Sequence, residues 1–196
     1  EKIENVSAKH AEETLSQKEL SQLEIAQSEI RYRNVKQLQV RHLNFAYPDG
    51  KQILKDISFK AEKGQIIGIT GPVACGKSTL GKVFLCEYPY EGQILVDGKE
   101  LQNMPQSWQT NIIGYLGHDP ELFNDSVENN VLMGEQKKTE DFLKMVCMAE
   151  EVNEMDDGLQ TLVGNGGVRL SGGQGKRLAL ARTLCHKKPV LVLDDP

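Results

Sequence analysis

The chain lacks an apolar run long enough to cross a bilayer, which takes about 18 residues. Its longest apolar stretch, Gln65 to Cys75, is broken by glycines and a proline. The N-terminus is polar and has no apolar h-region, so no secretory signal is expected. A basic excess is also missing: 23 Lys+Arg stand against 28 Asp+Glu, for a net charge of −5. That balance argues against a dedicated nucleic-acid binder, which carries a basic face. Cys75, Cys86, Cys147 and Cys185 are far apart, with no metal-ligand or redox-motif spacing. They read as reduced cytosolic thiols. What is present is 196 residues with 39% hydrophobic content. This is enough for one α/β domain with a real core, too little for two large ones, and too apolar for wholesale disorder.

Residues 1–34 differ from the rest: they are rich in Glu, Gln, Lys, Ser and Ala and contain neither Gly nor Pro. Leu20, Leu23 and Ile30 make a weak stripe interrupted at Gln27, which predicts a helical arm or linker. The texture changes from Val35. Leu38 to Phe45 and Ile53 to Lys60 read as an antiparallel strand pair around the turn Tyr47-Pro48-Asp49-Gly50. Ile66 to Ile69 is a short apolar run that suits a fully buried parallel strand. Gly92 to Val96 predicts a strand closed by the hairpin turn Asp97-Gly98. Ile112 to Leu116 and Val190 to Leu193 read as further buried strands. Residues 124–156 and Gly172 to His186 read as helical, with a glycine-rich break at Gly164 to Gly167. Strands alternating with helices imply a parallel sheet and an α/β core.

Gly71-Pro72-Val73-Ala74-Cys75-Gly76-Lys77-Ser78 fits G-x-x-x-x-G-K-[ST] in full, between a predicted strand and a helix that opens through Thr79. Gly71 and Gly76 let the backbone curl its N–H groups around phosphate oxygens, and the helix N-terminus adds a positive dipole. Lys77 should reach the terminal phosphates and the Ser78 hydroxyl should ligate Mg²⁺. The strand VLVLD would carry Asp194 to the carboxyl edge of the sheet, where it can bind the same Mg²⁺. Leu170-Ser171-Gly172-Gly173-Gln174 opens a second helix, with Ser171 as a plausible N-cap and two glycines forming another anion-binding surface. The bland alternatives are a ligand-free glycine turn, a strand-ending turn starter and a flexible helix cap.

With these motifs in order, the sequence resembles the nucleotide-binding domain of an ATP-binding cassette transporter. The resemblance covers residues 36–196 and rests on GPVACGKST, LSGGQ and VLVLDDP. It implies a P-loop NTPase core with a mixed or parallel sheet, an N-terminal antiparallel β subdomain and an inserted helical subdomain at about 118–183. Residues 35–196 would be that cassette, cut just past its magnesium-site strand, and 1–34 the link toward a transmembrane domain on the same natural chain. The segments TLVGNGGVRLSGGQ and YLGHDPELFNDSVENNV resemble exporters. Also implied are ATP and Mg²⁺ as ligands, adenine stacking on Tyr47, and placement at the cytoplasmic face of a membrane. A second nucleotide-binding domain, identical or different, would pair head to tail. Leu170, Ser171, Gly172, Gly173 and Gln174 would then meet the partner's ATP.

Two positions depart from that pattern. The family places Gln where His118 stands, to hold Mg²⁺ and its water; a neutral His can ligate through one nitrogen only. The residue after Asp194 is usually Glu, the general base, and here it is Asp195, one methylene shorter. A displacement of about 1 Å can cost about a hundredfold in rate. Reduced hydrolysis is therefore expected. An ATP-binding regulatory half of a heterodimeric exporter is the alternative to a fully active ATPase half. Outside transport, a soluble cassette protein of translation or repair would show paired cassettes or basic insertions, and a P-loop kinase would have no use for LSGGQ. The pattern also expects a switch histidine beyond residue 196. His10, His42, His118 and His186 all precede the magnesium-site strand, so none can take that place.

Overall fold

The computed structural model describes residues 34–48, 50–165 and 170–195. The expected helical arm at the N-terminus and part of the glycine-rich break lie outside the described residues. Strands β1 (Gln37–Ala46) and β2 (Gln52–Glu62) pair antiparallel, as their alternation predicts. The turn between them is closed by Gly50 N–H donating to Tyr47 O at 2.8 Å. Strand β3 (Glu91–Val96) lies on the other side of β1, and β4 (Lys99–Glu100) returns from it through Asp97 and Gly98, both at positive φ. The sheet order is β2-β1-β3-β4.

A bulge in β1 explains how one strand buries two sets of residues. Leu38 and Val40 face the core, Arg41 and His42 are exposed, and Leu43 and Phe45 face the core again. The extra residue shifts the side-chain alternation by one, so even and odd positions share a face. His42 takes φ 47° at that point. Gly92 sits opposite with φ +91°, where a Cβ would come within 2.3 Å of His42 O and 2.6 Å of Arg41 O. Gly92→Ala must therefore strain the backbone and push two strands apart. It is expected to cost about 2–3 kcal/mol and lower Tm by about 5–10 °C in a calorimetric scan.

Helix α1 (Lys77–Val83) packs Leu80 and Val83, with Phe84 just beyond, into the core beneath this sheet. Its Gly81 faces Tyr115 and Val192; a Cβ there would be 3.1 Å from Tyr115 Cε2 and 3.4 Å from Val192 Cγ1. These two contacts belong to a parallel pair formed by β5 (Ile113–Leu116), which follows α2 (Gln106–Ile112), and β8 (Val190–Leu193). So α1 is seated on β5 and β8, and the P-loop lies above their carboxyl ends.

A second core gathers Val127, Val131, Leu143, Met148, Val152, Val163 and Leu178. It is built from α3 (Val127–Leu132), α4 (Thr139–Met145), α5 (Ala149–Asn153) and α6 (Gly172–Cys185). A short antiparallel pair, β6 (Asp125–Ser126) with β7 (Leu162–Val163), closes one side. The reading of 124–156 as mostly helical holds for α3, α4 and α5, with β6 before them and non-helical breaks at 133–138, 146–148 and 154–156.

One strand expectation fails. Residues 66–69 lie in no strand, and Ile66, Ile67 and Ile69 are 94%, 43% and 51% exposed. A parallel strand is buried when it is paired into a sheet whose two faces are covered by other elements. Among the described residues no strand pairs with this run, so its apolar sequence stays open to solvent. The same shortage of neighbours leaves β8 half-buried, with Leu193 41% exposed, where a fully buried strand was expected.

Candidate nucleotide site

The P-loop bends at Gly76, as its sequence predicts, and at Ala74 rather than at Gly71. Ala74 and Gly76 take φ 61° and 100°, which turns successive backbone N–H groups toward one concavity. Gly76 cannot carry a side chain: a Cβ would be 2.8 Å from Ile53 Cγ2. Helix α1 starts at Gly76 without a side-chain cap and without an acid in its first turn. Its first N–H groups therefore remain available for an anion. Lys77 folds back so that Nζ donates to Gly71 O at 2.9 Å and Pro72 O at 2.8 Å, with Cys75 Sγ 3.8 Å away. Its ammonium is held by carbonyl oxygens rather than by a carboxylate, a contact that a phosphate can replace. Val73 is 96% exposed at the loop's tip. Tyr47 stands at the other end of the concavity. Its OH is 3.5 Å from Thr79 Oγ1, and its ring meets Phe45 and Tyr88 edge-on.

The parallel pairing of β5 and β8 brings the acids to this loop. Asp194 N–H donates to Leu116 O at 2.8 Å, and Ser78 Oγ donates to Asp194 Oδ1 at 3.1 Å. Residues 116 positions apart thus meet beside the P-loop. Among the described residues no group of three or more His, Cys, Asp and Glu could hold a metal unaided. A hydroxyl and one carboxylate instead fit Mg²⁺, which keeps waters and takes its remaining oxygens from a nucleotide's phosphates. Burial, and then the charge of Asp194, push the Tyr115 phenol up, so it stays a neutral donor beside that carboxylate.

Asp195, the next residue, takes φ 54°. Lys176 Nζ donates to its Oδ2 at 3.3 Å and to its carbonyl at 3.2 Å, while His118 Nδ1 is 3.0 Å from the same Oδ2. Lys176, through its hydrogen bond and charge, and then His118 hold the Asp195 carboxyl below the usual carboxylate range. His118 thus contacts Asp195, with Asp119 3.9 Å from its other nitrogen.

The signature segment forms a capping box. Ser171 Oγ accepts from Gln174 N–H at 3.2 Å, and Gln174 Oε1 accepts from Ser171 N–H at 2.8 Å. The Ser171 hydroxyl proton is not used by the cap and can still be donated. A Cβ on Gly172 or Gly173 would meet nothing within 4 Å. Nothing described in the chain requires glycine at these two positions, and bare backbone there allows close approach from outside. A cleft of about 580 Å³ opens between Asp119–Leu122 and Leu170–Lys176.

The sequence profile of the ABC transporter family matches residues 54–196. The chain belongs to that family. Among similar proteins, ATP-binding cassette sub-family B member 6 of Xenopus tropicalis is 35% identical over 81% of this chain and 19% of its own length. The ATP-dependent lipid A-core flippase of Pseudomonas aeruginosa is 40% identical over 81% of this chain and 27% of its own. The structure of a bacterial Atm1-family ABC exporter with ATP bound matches with a TM-score of 0.76 at 30% identity, covering 83% of this chain and 30% of that one. The chain therefore corresponds to the nucleotide-binding domain of an ABC exporter and spans less than a third of these relatives. Domains of this family bind ATP. Among the described residues no helix is long and apolar enough to cross a membrane.

Several residues of this ABC domain's site were not singled out by the motifs. Glu151 accepts from Gln174 Nε2 at 2.9 Å and from Arg177 Nη1 and Nη2 at 2.6 and 3.0 Å. It braces the signature glutamine from α5, and Arg177 keeps its carboxyl ionised below the ordinary range. Gln174 and Arg177 are three apart on one helix face, a spacing that could have suggested a shared partner, but nothing in the sequence points to Glu151. Lys176 and Tyr115 were likewise invisible without the fold.

Proposed function

We propose that this chain is the ATP-binding engine of a membrane exporter, working at the cytoplasmic face as one of two nucleotide-binding domains. The observation that carries this reading is the Ser78–Asp194 contact beneath a P-loop whose lysine rests on replaceable carbonyl oxygens. Residues 71–79 would cradle the phosphates, Tyr47 would stack on adenine, and Ser78 and Asp194 would hold Mg²⁺. ATP supplies the phosphoanhydride bond, and the magnesium ion neutralises its charge. His118 is proposed as a further contact to the metal-bound water and Asp195 as the carboxylate base that receives the attacking water's proton. Ser171, Gly173 and Gln174, with the open backbone at 172–173, would close on nucleotide held by a partner domain. Closure with ATP and reopening after hydrolysis would move a transmembrane domain, here taken to lie on the same natural chain.

The second reading, an ATP-binding half with little hydrolysis, is favoured by the contacts of Asp195. Its short side chain is drawn onto Lys176 and His118 rather than onto Ser78. Asp195→Glu restores the missing methylene. It is expected to raise ATPase turnover in the full-length transporter by about tenfold, with MgATP affinity unchanged. No gain in turnover would count against Asp195 as the proton acceptor.

A further inference from the structure

Resting on the nucleotide-site reading above, we propose that Lys176 is a positioning residue that restrains Asp195, holding this acid on the signature helix. The grip has two points. One ammonium donates to both the carboxylate and the main-chain carbonyl of Asp195, at 3.3 and 3.2 Å, so side chain and backbone are fixed together. The residue it holds sits at φ 54°, a conformation an aspartate keeps only when its surroundings over-determine it. The helix that carries Lys176 is itself firmly seated. Its first turn is locked by the capping box, and its Gln174–Arg177 face is tied to Glu151. Lys176 projects from a different face of the same two turns, toward the end of β8. His118 reaches Asp195 Oδ2 from the loop after β5 and completes the enclosure. Three segments distant in sequence therefore converge on one carboxylate. The grip also links the acid of this chain's own nucleotide site to the helix whose N-terminus would touch the partner's nucleotide. A change at either end can reach the other through one side chain.

The test uses Lys176→Met, which keeps the aliphatic stem and removes the charge, with Lys176→Arg as the conservative control. Without nucleotide, amide exchange of the chain is expected to quicken at residues 190–195 in Lys176→Met, while α6 stays protected. In the full-length transporter, kcat is expected to rise about three- to tenfold with KM and MgATP affinity unchanged. Lys176→Arg should match the wild type in both measurements. Unchanged exchange at 190–195, or a kcat that stays level or falls, overturns the proposal. Should the wild-type chain fail to bind MgATP, the nucleotide-site reading falls, and the exchange measurement still decides the grip.

Discussion

Lys77→Ala is expected to weaken MgATP binding by about 100-fold or more while leaving the fold intact. In the structure the Lys77 ammonium spends its hydrogen bonds on Gly71 O and Pro72 O. Both are neutral acceptors, and phosphate oxygens would replace them with bonds in which donor and acceptor are both charged. Two such bonds, each contributing about 1.5–3 kcal/mol, amount to at least a hundredfold in affinity. No other cation is seen within the loop to take over, and the N–H groups of α1 carry only partial charge. Calorimetric titration with MgATP gives the affinity, and circular dichroism confirms that secondary structure persists. A Lys77→Ala chain that binds as the wild type does would place the phosphates elsewhere.

The largest expected loss of stability follows from Arg182→Ala. Arg182 donates from Nε to Asn130 O at 2.8 Å, from Nη2 to Asn130 Oδ1 at 2.7 Å and from Nη1 to Glu121 O at 3.0 Å. Its guanidinium also lies 4.6 Å from the Phe123 ring centroid. Asn130 is fully buried, and its side chain also ties down Phe123 and Ser126 through their backbone groups. This one fork therefore joins α6, α3 and the loop at 121–126. Burial lowers its pKa from the ordinary arginine value, yet a guanidinium remains charged there. Truncation takes the Arg182 donor from Asn130 O, leaves Asn130 Oδ1 with the Phe123 N–H as its remaining donor, and loses the tie to the exposed Glu121, at a cost of about 3–5 kcal/mol and a Tm drop of about 10 °C. Arg182→Lys should recover less than half of that, since a single ammonium cannot reach Glu121 and both Asn130 oxygens. A scanning calorimeter distinguishes the three proteins.

The P-loop motif, the Ser171 cap and the β1–β2 pair were legible in the sequence because each depends on neighbours a few residues away. Glycine at 76, the hydroxyl at 78 and the Ser171–Gln174 spacing carry their chemistry locally. The role of Asp194 was legible only jointly with the P-loop, because a strand-ending aspartate is ordinary until Ser78 is 3.1 Å from it. The run at 66–69 misled for the complementary reason. Its apolar composition says that it can be buried, but burial also needs pairing into a sheet with both faces covered, and that is a property of the whole fold rather than of four residues. The Glu151 brace and the Lys176 grip were hidden altogether. They arise because α6 lies between α5 and the end of β8, and that placement is set by the second core.

The central claim is that Ser78 and Asp194 form one magnesium site beneath a nucleotide's phosphates. It is tested most directly by calorimetric titration of ATP, with Mg²⁺ and with chelator, into the wild-type chain and Asp194→Asn. Magnesium is expected to tighten binding to the wild type by about tenfold or more. In Asp194→Asn that increment should vanish, while metal-free binding persists. An Asp194→Asn chain that keeps the full magnesium increment would contradict the claim.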